Sequence, residues 1–368
     1  MDLPVTEAST TAGGDAAQAV TCPSCGAAIG PDWQFCEACG SDLPQTAATA
    51  GEATVEMAVA QPVVPDATPS TCPACGGTFA ADGYCQTCGA KAPNPRDHFT
   101  EQPAPWVAGA CDRGIRHTRN EDAMALAAGD GRAVLVVCDG VTTATDSDIA
   151  SMAAARAARD VLDTSNAQGL GIASSRVSAV LARLAAAADA ANDAVLDSTR
   201  PDAAGNPPSC TFVAAVVERD LIVAGNVGDS RAYWLPDAGE PVMLGRDDSF
   251  AADQIEAGVP REQAEHGPQA HAITRWLGAD APPHAPRATA VTPGGPGWLL
   301  LCSDGLWNYC SEAADIAALV RRTASESGGD PLATAEGLVA FANDRGGQDN
   351  ITAALARITE TTTQEGAV

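Results

Sequence analysis

The 368-residue sequence predicts a mixed domain of helices packed on sheets, preceded by two small cysteine modules, on three observations. First, 45% of residues are hydrophobic but only 4% aromatic, so the apolar mass is Ala, Val and Leu, which suits helix-on-sheet packing rather than an aromatic binding surface. Second, short β-branched runs alternate with Ala-rich stretches through the last two-thirds of the chain. Third, a pattern of paired cysteines occurs twice near the start.

Residues 1–20, rich in Thr, Ala and Gly, have no hydrophobic period and read as a disordered tail. The first cysteine module spans 21–44 and the second 71–92, separated by an Ala, Thr, Val and Pro linker over 45–70. A second linker over 93–105 leads to the large domain, 106–358, and residues 359–368 form a disordered tail. Within the large domain strands are expected at 133–138, 211–217, 221–225, 231–235, 298–302 and 351–358, with Asp220 in a hairpin turn. Leu, Ile or Val recur every three or four residues at 146–162, 177–196, 312–323 and 332–343, which predicts helices. The stretch 247–278 fits neither pattern and reads as a flap or lid.

Each cysteine module holds two Cys-x-x-Cys pairs: Cys22, Cys25, Cys36 and Cys39 in the first, Cys72, Cys75, Cys85 and Cys88 in the second. One pair grips a metal from a tight turn and two pairs complete a tetrahedral thiolate site, which favours zinc and leaves no open position for chemistry. Two structural Zn²⁺ ions are therefore expected, each holding together a module too small for a core of its own. The modules resemble the short zinc ribbons appended to bacterial signalling proteins, and that resemblance implies a role in protein docking.

The formal net charge is -26, and residues 1–95 carry ten acidic side chains against one base, Lys91. Such a field repels phosphodiester backbones and anionic lipid, so nucleic acid and membrane are not expected partners. The chain start has no signal-peptide pattern and no apolar run reaches the length of a membrane span, so a cytoplasmic location is expected.

Two apolar strands each end in Asp-Gly: Asp139-Gly140 after 134–138, and Asp304-Gly305 after 299–303. Asp349 precedes the strand at 351–358, Asp229 lies in a turn, and Glu121 and Asp122 are adjacent. Taken singly, each has an ordinary turn or cap explanation. Together, clustered carboxylates need a counter-charge, and oxygen-only ligation selects Mg²⁺ or Mn²⁺ over zinc. Two such ions can bind phosphate oxygens and lower the pKa of a shared water, so phosphoester hydrolysis is the expected chemistry.

Six motifs then occur in a familiar order: 114–123 around Asn120-Glu121-Asp122, 137–141, 228–231, 273–278, 301–306 and 347–352. In this the chain resembles the type 2C metal-dependent Ser/Thr protein phosphatases in their bacterial form, over residues 106–358. The resemblance implies an α+β fold, a four-layer α-β-β-α sandwich with two central antiparallel sheets and a metal site at one edge. It implies that Asp139 bridges two Mn²⁺ or Mg²⁺ ions, that Asp304 and Asp349 complete one of them, and that the Gly140 carbonyl serves the other. Glu121 and Asp122 act directly or through waters, and Asp229 with Asp304 forms a weaker third site. The implied reaction is direct attack of a metal-bridging water on phosphoserine or phosphothreonine in proteins, opposing a bacterial Ser/Thr kinase. Cys138 and Cys302, inside apolar runs, read as buried thiols rather than nucleophiles.

The sequence departs from that family at several places. Members usually carry an Arg four residues before the Glu of Asn-Glu-Asp to grip the substrate phosphate; here it is His117, with Arg116 and Arg119 as neighbours that could compensate. A single imidazole cannot match the bidentate fork of a guanidinium. The glycine-rich loop usual after Asp-Gly is replaced by Val141-Thr142-Thr143-Ala144. These departures motivate an alternative reading, a pseudophosphatase or phosphoprotein-binding scaffold with zinc-ribbon docking modules.

Overall fold

The structure, a computed structural model, describes residues 71–164, 173–199, 206–218, 221–267 and 269–359. The described residues all belong to one compact unit, within 60–368. The first cysteine module, its flanking tail and linker, the turn residue Asp220 and all but the first residue of the final tail lie outside the described residues.

In chain order the strands are β1 (His98–Ala104), β2 (Val107–Asp112), β3 (Ala123–Gly129), β4 (Arg132–Cys138), β5 (Ser209–Cys210), β6 (Phe212–Glu218), β7 (Leu221–Val227), β8 (Arg231–Pro236), β9 (Val242–Met243), β10 (Leu277–Gly278), β11 (Arg287–Val291), β12 (Gly297–Cys302) and β13 (Ile351–Ile358). The helices are α1 (Ser147–Asp163), α2 (Ala173–Ser198), α3 (Phe250–Glu256), α4 (Arg261–Glu265), α5 (Asp304–Trp307), α6 (Ala313–Glu326) and α7 (Pro331–Asp344). Two antiparallel sheets run β1-β2-β13-β12-β8-β9 and β11-β7-β6-β4-β3, with β5 and β10 as a small separate pair.

The period-two alternation of strand side chains sorts each strand between two cores. On β4, Leu135 and Val137 point into the layer between the sheets, where they join Met124, Val213, Trp234, Leu299 and Leu301. Val134, Val136 and Cys138 of the same strand face α1 and α2. The six-stranded sheet repeats the arrangement: Trp298, Leu300 and Cys302 of β12 pack outward against α6 and α7. Four layers follow, α-β-β-α, because both faces of both sheets are apolar and each must be covered.

Two expectations need correction. The linker expected over 93–105 holds a 3-10 turn at Pro95–Asp97 and then β1, so the large domain begins before 106. Pro103 concealed the strand, but β1 is a sheet edge whose register shifts between Glu101 and Ala104, and proline is tolerated at such an edge bulge. Strands β2 and β3 were also not anticipated, being built of Ala and Gly with few β-branched residues. The stretch 247–278 holds the short helices α3 and α4, packed around Ala251, Ala264 and Ala270.

Among the described residues no helix is long and apolar enough to cross a membrane. Leu135 is fully buried between the sheets, so Leu135→Ala is expected to cost about 2–5 kcal/mol of stability, read as a lower urea midpoint at unchanged m-value.

Candidate metal centre

Antiparallel pairing gathers the acidic segments at one end of the two sheets. Asp139 follows β4, whose last residue Cys138 pairs with Ala123, the residue after Asp122. Asp304 follows β12, whose end Cys302 pairs with Ala353, four residues past Asp349. Asp229 lies in the turn between β7 and β8. The loop 113–122 carries the chain from β2 in one sheet to β3 in the other, so residues from both sheets meet here.

The glycine of each Asp-Gly has a packing reason. A Cβ on Gly140 would lie 2.7 Å from the Glu121 carbonyl oxygen and 2.9 Å from that of Ser147, and a Cβ on Gly305 would collide with the Asn350 carbonyl oxygen. Only glycine lets the Asp139 loop close on Glu121 and the Asp304 loop close on Asn350. The Gly140 N–H donates to the Glu121 carbonyl at 3.2 Å.

Asn350 stitches the loops together. Its Oδ1 accepts from the Glu121 N–H at 2.7 Å, and its Nδ2 donates to the carbonyls of Arg113 and Arg119 at 2.8 and 3.1 Å. Ser303 Oγ and Thr352 Oγ1 donate to Asp122 Oδ2 at 2.6 and 2.7 Å. Asn350, Ser303 and Thr352 fall within or beside the quoted motifs, but nothing in their spacing pointed to a bracing role.

The carboxylates are poorly compensated by the protein itself. Asp122 Oδ1 and Asp304 Oδ1 are buried with no hydrogen-bond partner, which for a carboxylate oxygen is costly unless a cation takes that place. Burial first, then the Asp122, Asp304, Asp349 and Asp229 charges, push the Asp139 carboxyl well above the usual range. Asp304 is pushed up by burial and by Asp229, Asp349 and Asp122. Burial raises Asp122 and Asp229 to about 7, opposed at Asp122 by the Ser303 and Thr352 hydroxyls. Hard oxygen donors with orphaned lone pairs fit Mg²⁺ or Mn²⁺.

Among the described residues only the four cysteines bring three or more ligating atoms within 4.8 Å of one another. The acidic side chains stand farther apart than that. Cations that keep several of their waters suit such a spacing.

His117 lies in the β2–β3 loop, half-buried, with Nε2 3.2 Å from Asp349 Oδ1 and Nδ1 3.9 Å from Glu121 Oε2. Arg119 is fully committed: Nε and Nη2 grip Glu121 Oε1 at 3.0 and 2.6 Å, and Nη2 also reaches the Ala144 carbonyl and Ser147 Oγ. The exposed Arg116 guanidinium has no partner among the described residues, while its N–H donates to the Gly347 carbonyl at 3.0 Å.

A groove of about 740 Å³ opens beside Asp349 and Gly305, with Ala252, Ile255 and Ala270 of the flap region on one side and Trp307 and Tyr309 on the other. At its floor Arg231 pairs with Asp247 at 2.6 Å and stacks 3.5 Å from the Trp307 ring centroid.

In the second cysteine module Cys72 and Cys88 sulfurs lie 3.7 Å apart and Cys75 and Cys85 3.5 Å. These separations are too long for disulfides, whose sulfurs bond at about 2 Å. They match the edge of a tetrahedron with about 2.3 Å zinc–sulfur bonds, so the thiol set fits zinc. Backbone N–H groups of Cys88 and Thr87 pull the Cys85 thiol down to about 6, while Cys75, which shares hydrogen bonds with Cys88 and Cys85, is raised to about 12, so without a metal the proton is held unequally between them.

Comparison with known proteins agrees with this geometry. Residues 113–341 match the family described as protein phosphatase 2C, and residues 22–89 match the double zinc ribbon. The serine/threonine phosphatase stp of Listeria innocua is 30% identical over 254 residues, covering 66% of this chain and 92% of that protein. The serine/threonine protein phosphatase PstP of Mycobacterium tuberculosis is 29% identical over 257 residues, 69% of this chain and 45% of PstP. Among solved structures, an S. agalactiae serine/threonine phosphatase superposes with TM-score 0.58 at 26% identity, over 71% of this chain and all of that one. The PstP catalytic domain, in complex with two manganese ions, superposes with TM-score 0.54 at 26% identity, over 72% of this chain and 100% of that one.

The folded state holds protons on Asp122, Asp139, Asp229 and Asp304 more tightly than the unfolded chain does. The metal-free protein is therefore expected to lose stability as pH rises from the ordinary carboxylate range near about 4 through about 7. Melting temperatures between pH 5 and 8, with chelator and then with Mn²⁺, check this: the downward trend should disappear when the ion is present.

Proposed function

The chain belongs to the protein phosphatase 2C family, and we propose that its sheet-edge carboxylates hold two divalent cations with which it hydrolyses phosphoserine and phosphothreonine in proteins. The observation that carries this reading is the meeting of Glu121, Asp122, Asp139, Asp229, Asp304 and Asp349 from separate segments, with buried oxygens of Asp122 and Asp304 left without partners.

In this proposal Asp139 with Asp304 and Asp349 would hold one ion, and Asp139 with the Gly140 carbonyl the other. Glu121 and Asp122 would hold waters on those ions, and Asp229 with Asp304 would offer a weaker third place. When bound, Mn²⁺ or Mg²⁺ supplies phosphoryl-oxygen binding and a water made nucleophilic near neutral pH. The protein's own part is positioning: Ser303 and Thr352 fix Asp122, Arg119 and Ser147 fix Glu121, and Asn350 fixes the backbone between them. With Arg119 occupied, His117 and Arg116, whose guanidinium has no partner among the described residues, are the groups assigned to the substrate phosphate.

We assign one structural zinc to each cysteine module and a docking role to both, with phosphorylated proteins made by a bacterial Ser/Thr kinase as substrates and the cytoplasm as location. The negative field of the chain speaks against nucleic acid as a partner.

Manganese-dependent hydrolysis of p-nitrophenyl phosphate and of a phosphothreonine peptide tests the catalytic reading. Asp139→Ala and Asp304→Asn should each lower kcat by at least about 100-fold, the scale on which displaced charge stabilisation is felt; turnover no higher in the wild type than in these variants would favour the binding-scaffold reading instead. For the ribbons, metal analysis should find one zinc fewer in Cys72→Ser/Cys85→Ser than in the wild type, with hydrolysis of p-nitrophenyl phosphate unchanged.

A further inference from the structure

The segment that leaves the second cysteine module makes a contact for which neither the motifs nor the family match, which begins at residue 113, provides a role. Arg96 sits in the 3-10 turn Pro95–Asp97 and extends its guanidinium to the loop that precedes β3. Its Nη2 donates to the carbonyl of Asn120 at 3.2 Å and to that of Asp122 at 2.7 Å. These carbonyls flank Glu121. The intervening Glu121 carbonyl turns the opposite way and accepts from the Gly140 N–H at 3.2 Å and Ser151 Oγ at 2.5 Å. The Asn120–Asp122 backbone is thus clamped from two sides.

The clamp is reciprocal. Asn120 Nδ2 donates back to the Arg96 carbonyl at 2.8 Å, and Asn94 Oδ1 caps the turn by accepting from the Arg96 N–H at 3.0 Å. The Arg113 N–H donates to the Asp97 carbonyl at 2.8 Å, so the turn is also tied to the far end of the same loop. One nitrogen with two hydrogens, aimed at two carbonyls two residues apart, is a geometry a flexible surface arginine would not hold unless its own backbone were fixed, as it is here.

We propose that Arg96 is a positioning residue of the metal centre, holding the backbone on both sides of Glu121 so that the Glu121 and Asp122 carboxylates face the cations. This rests on the reading that those two acids serve the ions. Arg96 acts through the backbone and touches neither substrate nor cation. Outer contacts of this kind commonly change metal affinity about 10–100-fold when removed.

The test compares the full-length wild type with Arg96→Met, which keeps an apolar stem and removes both donors, and with Arg96→Lys, which restores a charged donor. Two readouts do not depend on turnover: amide hydrogen exchange at Glu121 and Asp122 in the metal-free protein, and Mn²⁺ binding by calorimetry. The Met variant should lose protection at both amides and bind Mn²⁺ about 10–100-fold more weakly, and the Lys variant should recover part of each. At a fixed low manganese concentration kcat should fall in the Met variant with KM for a phosphothreonine peptide unchanged, and added manganese should restore it. A folded Met variant with wild-type protection and wild-type manganese affinity overturns the proposal. If Arg96→Met does not fold, Arg96→Gln, whose shorter amide cannot reach both carbonyls, decides by the same readouts. Failure of the wild type itself to bind manganese would instead overturn the catalytic reading on which this one rests.

Discussion

The arrangement of this protein is governed by the burial and repulsion of carboxylates gathered at one end of its two sheets. Burial first, and then neighbouring carboxylates, raise the proton affinity of Asp122, Asp139, Asp229 and Asp304, with Asp349 acting on all four. Left alone, such a set would move apart or stay protonated. It is held instead by neutral donors: hydroxyls of Ser303 and Thr352 on Asp122, the Asn350 amide on the backbone, and peptide N–H groups on carbonyls. These contacts give geometry with little compensating charge, which leaves most of the electrostatic compensation to cations from solvent.

The double sheet makes that arrangement possible. A carboxylate at a strand end is fixed by the ladder behind it, and β4, β12 and β13 each have a fully buried run leading to or from an acid. Because β12 and β13 are antiparallel, the end of one and the start of the other fall on the same edge. The β2–β3 crossover then joins the sheets through the loop that carries Glu121 and Asp122. Close approach at Gly140 and Gly305 draws the loops inward, so the spacing of the acids is set by backbone contacts more than by side-chain rotamers.

Much of this was legible in the sequence where strands are rich in Val, Ile and Leu. The strand read at 351–358 coincides with β13, and the runs leading to Asp139 and Asp304 lie on β4 and β12 within a residue. The helices read at 146–162 and 332–343 match α1 and α7 closely, since their apolar faces lie against a sheet. Legibility failed where packing replaced propensity. Strands β2 and β3 are Ala- and Gly-rich because the sheets approach closely there, as shown by a Cβ on Gly109, which would fall 2.6 Å from Met124 Sδ, and such runs carry no β signal of their own. Edge strand β1 was hidden by Pro103 and a bulge. The bracing residues escaped for another reason: Ser303, Thr352, Asn350 and Arg96 act through single contacts with residues far away in the chain, and no local pattern encodes them.

The same contacts explain how a histidine can stand where relatives of this kind carry arginine. An arginine at 117 would place a permanent positive charge against Asp349 and Glu121, the carboxylates that His117 already touches at 3.2 and 3.9 Å. Glu121 in this chain is paired with Arg119, two residues before it, which takes one of its oxygens with two N–H groups. A second guanidinium at 117 would compete with Arg119 for Glu121 and with any cation for Asp349, whereas an imidazole places at most one charge there and none when neutral. In the proposed reading substrate charge is met from the outer side by Arg116, which has no partner among the described residues and whose backbone is anchored on Gly347, two residues before Asp349. The positive charge around the loop is thus redistributed: Arg96 and Arg119 face inward on backbone and carboxylate, Arg116 faces solvent, and position 117 is left to a side chain that leaves room for ions.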